Sequence, residues 1–503
     1  MEGPVSAGIV PLGMGIAFML VMLWLIRRAY GEQQFQEFAT ANQTFGTWAI
    51  TFSMMATWFV GASYTAWMGM AVNYGFIYLY GPIYGAYCVI LFYLIADKLW
   101  LWGKAHQLST QGDVWALRYD ARWLKALVGI VGLSASFPWL IMEFWTLGYL
   151  ISYASYQHLP FVWAMAIGAL VVAFYVTMGG MRAVVSAHFV QGLFFILGAI
   201  VFTYFMVSKN VGGIGATMRS ALELFPEVLT YPGPGWNPPN PYWTSIIVTS
   251  SVGGFLWPWC MNRAFAADSV RTIRRASWQS VYVSTLVCLF GFFFFGISAH
   301  HLEYARAHPQ EAWLWFADKM GGPLYVGIAF IVALSTALGT VSSLIHFFGV
   351  SIASDVMRTL NPKLHEKSAT RYAQIIVILI SVVAFIFANM KLPALVFIAL
   401  LTYQFIIQLG PGQLIGLWWK RGNVYGAVAG LLAGVGVALY LTFIDVTGTG
   451  FGGWTAGMWG LLVNLIVYVA LGYALPPSKR TEELFQEVQA LKEEAAKPVA
   501  PAD

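Results

Sequence analysis

Long apolar runs recur thirteen times along this 503-residue chain, at 7–27, 46–73, 77–99, 124–155, 161–178, 186–208, 243–264, 276–298, 323–353, 372–390, 393–419, 423–444 and 454–475. A helix needs about 20 mostly apolar residues to cross a bilayer, and lipid offers no partner to an unpaired backbone group. The pattern therefore specifies an all-α polytopic membrane protein with about thirteen transmembrane helices. The runs are continuous rather than short and alternating, which excludes an outer-membrane barrel. Composition agrees: 59% of the residues are hydrophobic and 10% charged, against roughly a quarter charged in soluble domains. A large cytosolic enzyme, a nucleic-acid binder and a disulfide-stapled secreted domain are excluded on that ground. Cys88, Cys260 and Cys288 lie inside apolar runs without metal-type spacing and read as small packing residues.

Basic residues orient the chain. With the N-terminus outside, only Lys209, Arg219, Arg306, Lys319 and Lys391 of the 27 Lys and Arg fall on the outer side. Basic side chains concentrate in cytoplasmic loops, so this orientation, with a cytoplasmic C-terminus, is the expected one. The first run has no basic residue before it and reads as a retained anchor rather than a cleaved signal. In the polar tail, Thr481–Lys492 is expected to form a short surface helix and Pro498–Asp503 to be disordered.

Interruptions narrow the class. Backbone leaves the helical pattern at membrane depth only where it lines a cavity or is buried in protein. The second run carries Ala56-Thr57-Trp58-Phe59-Val60-Gly61-Ala62-Ser63, and the seventh carries Ser250-Ser251-Val252-Gly253-Gly254 followed by Trp257-Pro258-Trp259. Broken helices five crossings apart point to a transporter built from two inverted repeats around a midplane site. On the ninth run Ser335 and Thr336 offer two neutral oxygens that suit a hard cation such as Na⁺, with unwound carbonyls at Ala56 and Phe59 nearby. The same hydroxyls could instead bond back to their own helix.

Glu143 is the one acidic residue near the middle of a run. A carboxyl there is costly and functional by default: it can hold a cationic solute, couple an ion or make a structural hydrogen bond. His188 and His346 read as structural more readily than as proton relays. No Lys or Arg is expected at mid-depth. The aromatic residues Trp58, Phe59, Tyr64, Trp139, Trp145, Trp257 and Trp259 fall near the expected cavity. Zincin, phosphate-loop and nucleophile-elbow signatures are missing, so the chain is not read as an enzyme.

Five segments, in order, resemble the sodium:solute symporter family, the group of the bacterial proline, pantothenate and sialic acid symporters and the sodium–glucose cotransporters. They are Gly69 to Gly75, Gly179–Val185 before Gln191-Gly192, Trp257-Pro258 through Arg263, Ser335-Thr336 with Ser354-Asp355, and Gly416–Arg421 with Gly426–Gly430. The resemblance spans about residues 40 to 475. It implies a leucine-transporter-type core of five plus five inverted helices. The chain divides accordingly into an extra helix and loop (1–40), a first repeat (41–208), an outer loop (209–242), a second repeat (243–422), two further helices (423–475) and a tail (476–503).

The resemblance also implies a sodium site made by the carbonyls of Ala56, Phe59 and Val332 and the hydroxyls of Ser335 and Thr336. Beside it, Trp58, Gly61, Ser63, Glu143, Gly254, Trp257, Tyr403, Gln404 and Gln408 would bound the solute. Two departures stand out. Ala187-His188 replaces a Thr-Asp whose aspartate serves a second sodium in some relatives, so one Na⁺ is expected. Glu143 stands where relatives often carry Gln, which makes Glu143 and His188 candidates for coupling or gating.

The function expected is sodium-coupled import of a small organic solute (an amine, amino acid or monocarboxylate) by alternating access. The protein would sit in a bacterial inner membrane as a monomer or weakly associating homo-oligomer. Proton coupling on the same fold, through Glu143 or His188, is one alternative. A nutrient sensor working with a separate signalling partner is the other.

Overall fold

The computed structural model describes residues 4–29, 34–390, 395–445 and 451–496. Among them the regular structure is helical, apart from one isolated parallel bridge between Phe45 and Ala267. α1 (Val5–Ala29) and α2 (Phe35–Thr40) precede a first broken crossing, α3 (Thr47–Trp58) and α4 (Ala66–Tyr74). Next come α5 (Tyr80–Ala105), α6 (Gln111–Arg118), α7 (Leu124–Ala154) and α8 (Phe161–Leu197), which widens into a π turn before α9 (Thr203–Val211). α10 (Ile214–Leu224) leads to a second broken crossing, α11 (Asn240–Leu256) and α12 (Pro258–Ala266). α13 (Val270–Leu286) continues through a π segment, Val287–Phe293, into α14 (Phe294–His300), followed by α15 (Glu303–Ala307), α16 (Ala312–Ser351) and α17 (Arg358–Leu360). α18 (Glu366–Ala388), α19 (Leu395–Ile406), α20 (Gly416–Trp418), α21 (Val424–Ile444), α22 (Ala456–Ala474) and α23 (Arg480–Ala496) complete it.

Each break has a local cause. α3 stops where Phe59 (φ −85°, ψ 99°) and Val60 (φ −83°, ψ 160°) extend, and Gly61–Tyr64 makes one 3-10 turn before α4. In the second crossing, Pro258 steers the residue before it out of the helical region and itself suits the first helical position. Trp257 (φ −57°, ψ 122°) is that residue. Ser250–Gly254, expected to share the interruption, are helical, so the break is narrower than the sequence suggests. Gly180, at φ 52° and ψ −146°, separates the expected crossings 161–178 and 186–208. A Cβ there would meet the Phe38 ring at 2.7 Å, so glycine supplies both the conformation and the room.

Nine continuous helical stretches among the described residues are long and apolar enough to cross a membrane, and three of them, 61–105, 161–211 and 309–360, run to 45, 51 and 52 residues. The stretch containing α16 is 89% buried in its most apolar window, whereas those of α1, α18 and α21 are 28% buried. α16 is therefore the axis of the bundle, packed on α3, α7, α8 and α18, while the other three face lipid. The expected tail helix is α23, which buries Leu484 and Val488. Arg118 anchors it by donating to Thr481 Oγ1 at 3.3 Å while also donating to the Gly416 and Trp419 carbonyls. Residues 498–503, read as disordered, and the first two residues of the run 393–419 lie outside the described residues.

Candidate functional site

The two broken crossings meet: the Trp58 indole N–H, at the end of α3, donates to the Gly254 carbonyl of α11 at 3.4 Å. On its other side the first break presses on α16. A Cβ at Gly61 would lie 2.5 Å from Ala337 Cβ, and one at Gly339 would lie 2.8 Å from the Ala56 carbonyl oxygen. Only glycine permits these approaches. They bring the end of α3 against the part of α16 that carries Ser335 and Thr336.

Both of those hydroxyls are fully buried, and each donates one turn back: Ser335 to the Val332 carbonyl and Thr336 to the Ala333 carbonyl, both at 2.7 Å. A donating hydroxyl keeps its lone pairs, so both oxygens can still hold a hard cation. Ala56 meets α16 at Gly339, about one turn from Ser335 and Thr336. The Val332 carbonyl already accepts the Ser335 hydroxyl, and its side chain occupies the space beside Gly198. Phe59 turns its ring onto Phe195 at 4.6 Å and Phe292 at 6.2 Å.

Glu143, on α7, is fully buried, and its two carboxyl oxygens accept the N–H groups of Gly61 (2.8 Å) and Ala62 (3.1 Å). These amides open the segment after the break, where a helix leaves its first donors unpaired. Glu143 is thus a cap delivered from a neighbouring helix.

A narrow cavity lies beside the break. Trp58, Phe59 and Ser63 line it, with Tyr84, Cys88 and Val89 of α5 and Ser284, Cys288 and Phe292 of the bent crossing that begins as α13. Among the described residues its lining holds no charged side chain. Sequence reasoning missed the α5 and 284–292 walls. Cys88 and Cys288, read as packing residues, are free and buried but also face the cavity.

Other expected residues stand further off. Gly254 lies one layer behind, where a Cβ would be 3.3 Å from Cys88 Sγ and 3.7 Å from the Tyr403 ring. Trp257 stacks on Trp259 at 4.4 Å and contacts Trp139 (5.8 Å) and Tyr403 (5.5 Å). Tyr64 packs on Phe292 and Trp313, and Trp145 stacks on Tyr149 away from the cavity lining. Gln404 and Gln408 point to α22 instead: Gln404 Oε1 accepts the Gly457 N–H at 2.9 Å, and Gln408 Nε2 donates to the Gly457 carbonyl at 3.0 Å. Their amides are spent bolting α19 and its continuation to the C-terminal helices.

A polar knot lies on the α3 side of the break. His188 Nδ1 is 2.9 Å from Ser53 Oγ, and its Nε2 is 3.0 Å from the Gly339 carbonyl and 3.2 Å from Ser342 Oγ. His346 is bonded to the Phe38 carbonyl at 2.8 Å. The Arg263 guanidinium, fully buried, donates to Thr57 Oγ1 at 3.0 Å and Ser343 Oγ at 2.6 Å. Arg263 is therefore a basic residue enclosed by protein. All of α12 is buried and turns it inward.

Residues 38–434 match the model of the sodium:solute symporter family. The chain belongs to that family. It is a sodium-coupled symporter that moves a small organic solute by alternating access, with Na⁺ as the coupling ion, and a multi-pass protein of the bacterial plasma membrane. An uncharacterized symporter of Bacillus subtilis, YhjB, is 24% identical over 469 residues, covering 91% of this chain and 95% of the relative. The sodium/pantothenate symporter of Haemophilus influenzae is 20% identical over 429 residues, 82% of this chain and 85% of that one. A solved Na⁺-coupled sialic acid symporter, substrate-bound and outward-open, superposes with a TM-score of 0.74 at 17% identity, covering 95% of this chain and all of that one. The likeness fixes the leucine-transporter-type fold of this symporter.

Proposed function

We propose that this symporter binds one sodium ion where α3 breaks against α16, and carries its solute in the adjoining aromatic cavity. The observation that carries the reading is the contact of the α3 end with the Ser335–Gly339 face of α16, held close by Gly61 and Gly339. Ala56, Phe59, Val332, Ser335 and Thr336 are the proposed sodium ligands. Trp58, Gly61, Ser63, Glu143, Gly254, Trp257 and Tyr403 surround the solute directly or from one layer behind. His188 has both ring nitrogens engaged and ties α8 to α3 and α16, which suits a gating bolt better than a proton carrier. The chain crosses the membrane thirteen times with its N-terminus outside, as a monomer or weakly associating homo-oligomer, with repeats at 41–208 and 243–422.

The cavity lining offers rings, hydroxyls and thiols but no charge, and both Glu143 oxygens are occupied by backbone amides. The solute is therefore held by an apolar body over Trp58 and Tyr84 and a polar end at Ser63 and Ser284. Amines, amino acids and monocarboxylates all fit that description. An amine gains from the aromatic faces. An acid gains from the Ser63 and Ser284 hydroxyls, which can donate to a carboxylate, and the Haemophilus relative is named for pantothenate.

The test is uptake of radiolabelled solutes of these three classes into proteoliposomes. Accumulation is expected with sodium outside and potassium inside, and not with potassium on both sides. Accumulation driven by a pH gradient in sodium-free buffer would overturn the sodium reading of the site.

A further inference from the structure

A groove on the lipid-facing surface runs between α5 and α13 and opens to the surroundings. Val89, Ile90, Leu94 and Val281 give it an apolar wall, and three arginines, Arg271, Arg274 and Arg275, stand at its other end. Arg274 is paired with Asp97, which also holds Lys492 at 2.7 Å, and it lies over the Tyr93 ring at 5.4 Å. Arg271 and Arg275 are exposed, and among the described residues neither makes an ion pair. All three sit in the first two turns of α13, where a helix's own dipole disfavours positive side chains. Asp97 pairs with Arg274, and Asp268, just before the Ser269 cap of α13, adds a second carboxylate, so the three arginines outnumber the described acidic groups at this end.

We propose that this groove binds one anionic phospholipid, its phosphate against Arg271 and Arg275 and an acyl chain along the Val89–Leu94 wall. Charge complementarity selects the headgroup. The apolar wall selects a lipid over a soluble anion, which would leave it uncovered. The orientation set by the basic residues places this end at the cytoplasmic leaflet, where anionic lipids make the surface potential negative.

The groove also backs onto the central cavity. Val89 is a wall of both and is 1% exposed. A chain lying against it sets the packing of α5 on α13 at the solute's back wall, so sodium-driven uptake depends on the lipid. Binding of the lipid stands by itself; only this coupling rests on placing the solute in the central cavity.

The full-length protein in neutral detergent is titrated with dioleoylphosphatidylglycerol or dioleoylphosphatidylcholine while unfolding is followed by Trp fluorescence. The wild type is expected to show a concentration-dependent rise in Tm with the first lipid and none with the second. Arg271→Gln/Arg275→Gln is expected to need about 25-fold more phosphatidylglycerol, at roughly fivefold per arginine. Its sodium response stays at the wild-type level, which shows that the fold is intact. An equal response to both lipids, or an unaltered double variant, overturns the site. Equal uptake into vesicles of phosphatidylcholine alone and vesicles containing phosphatidylglycerol overturns the coupling.

Discussion

Replacing Glu143 with Leu is expected to abolish sodium-driven uptake and to lower stability by about 2–6 kcal/mol, taking roughly 1–3 for each buried donor left unpaired. The donors are the Gly61 and Ala62 amides, whose described acceptors are the two Glu143 oxygens. Water cannot replace them, because Gly61 is packed against Ala337 and Glu143 itself is fully buried. Leu fills the volume without supplying an acceptor. Glu143→Gln keeps one acceptor oxygen but turns an amide N–H toward a backbone N–H, so it should fall between the wild type and Leu. Thermal unfolding ranks the three proteins, and uptake follows the same order. A Leu variant as stable as the wild type would mean that the break is capped by something other than Glu143.

Arg263 gives the second large effect, with opposite signs in two variants. A guanidinium stays charged in proteins, and this one is fully buried with hydroxyls and the Met181 sulfur as its partners and, among the described residues, no carboxylate. Burying a charge is strongly unfavourable unless it is paired, so the native residue costs stability. Arg263→Met keeps much of the length and removes the charge. Thr57 Oγ1 and Ser343 Oγ, already 3.3 Å apart, can then bond each other. Stability is expected to hold or rise, by up to about 4 kcal/mol, as when buried charges elsewhere give way to apolar groups of similar size. Arg263→Ala leaves a void and should lose about 2–5 kcal/mol. Both variants lose the tie between α3, α12 and α16, so uptake should drop about tenfold in each if closing that side limits turnover. A Met variant as unstable as Ala would show that the charge itself stabilises the fold.

The fold was legible because lipid leaves a chain few options. Every crossing had to be a long apolar helix, and the breaks had to fall where Gly61 or Pro258 disrupts one. Even so, Ser250–Gly254 stayed helical, since glycine permits a break while Pro258 imposes one on Trp257. Ala56, Ser335 and Thr336 stand out in the sequence because backbone and hydroxyl oxygens suit a hard cation. The site was not legible where the direction of a side chain decides. α5 is apolar all round, so nothing in its sequence tells that Tyr84, Cys88 and Val89 face the cavity. Gln404 and Gln408 could equally have faced a solute, and only the fold brings Gly457 and Asn464 to meet them. The burial of Arg263 was not legible either, because counting basic residues treats each one as a loop marker, whereas α12 encloses this one.

The central claim is that sodium sits where α3 breaks against α16, and it can be tested before the solute is known. The purified wild type and Ser335→Ala/Thr336→Ala are melted in increasing NaCl, KCl and choline chloride at constant ionic strength, with Trp fluorescence as the readout. The wild type should show a sodium-specific stabilisation that grows with the logarithm of concentration and reaches about 2.7 kcal/mol at a hundred times the dissociation constant. The double variant should respond to all three salts alike. A wild type that does not distinguish sodium from choline, or a double variant that keeps the full sodium response, would contradict this placement of the ion.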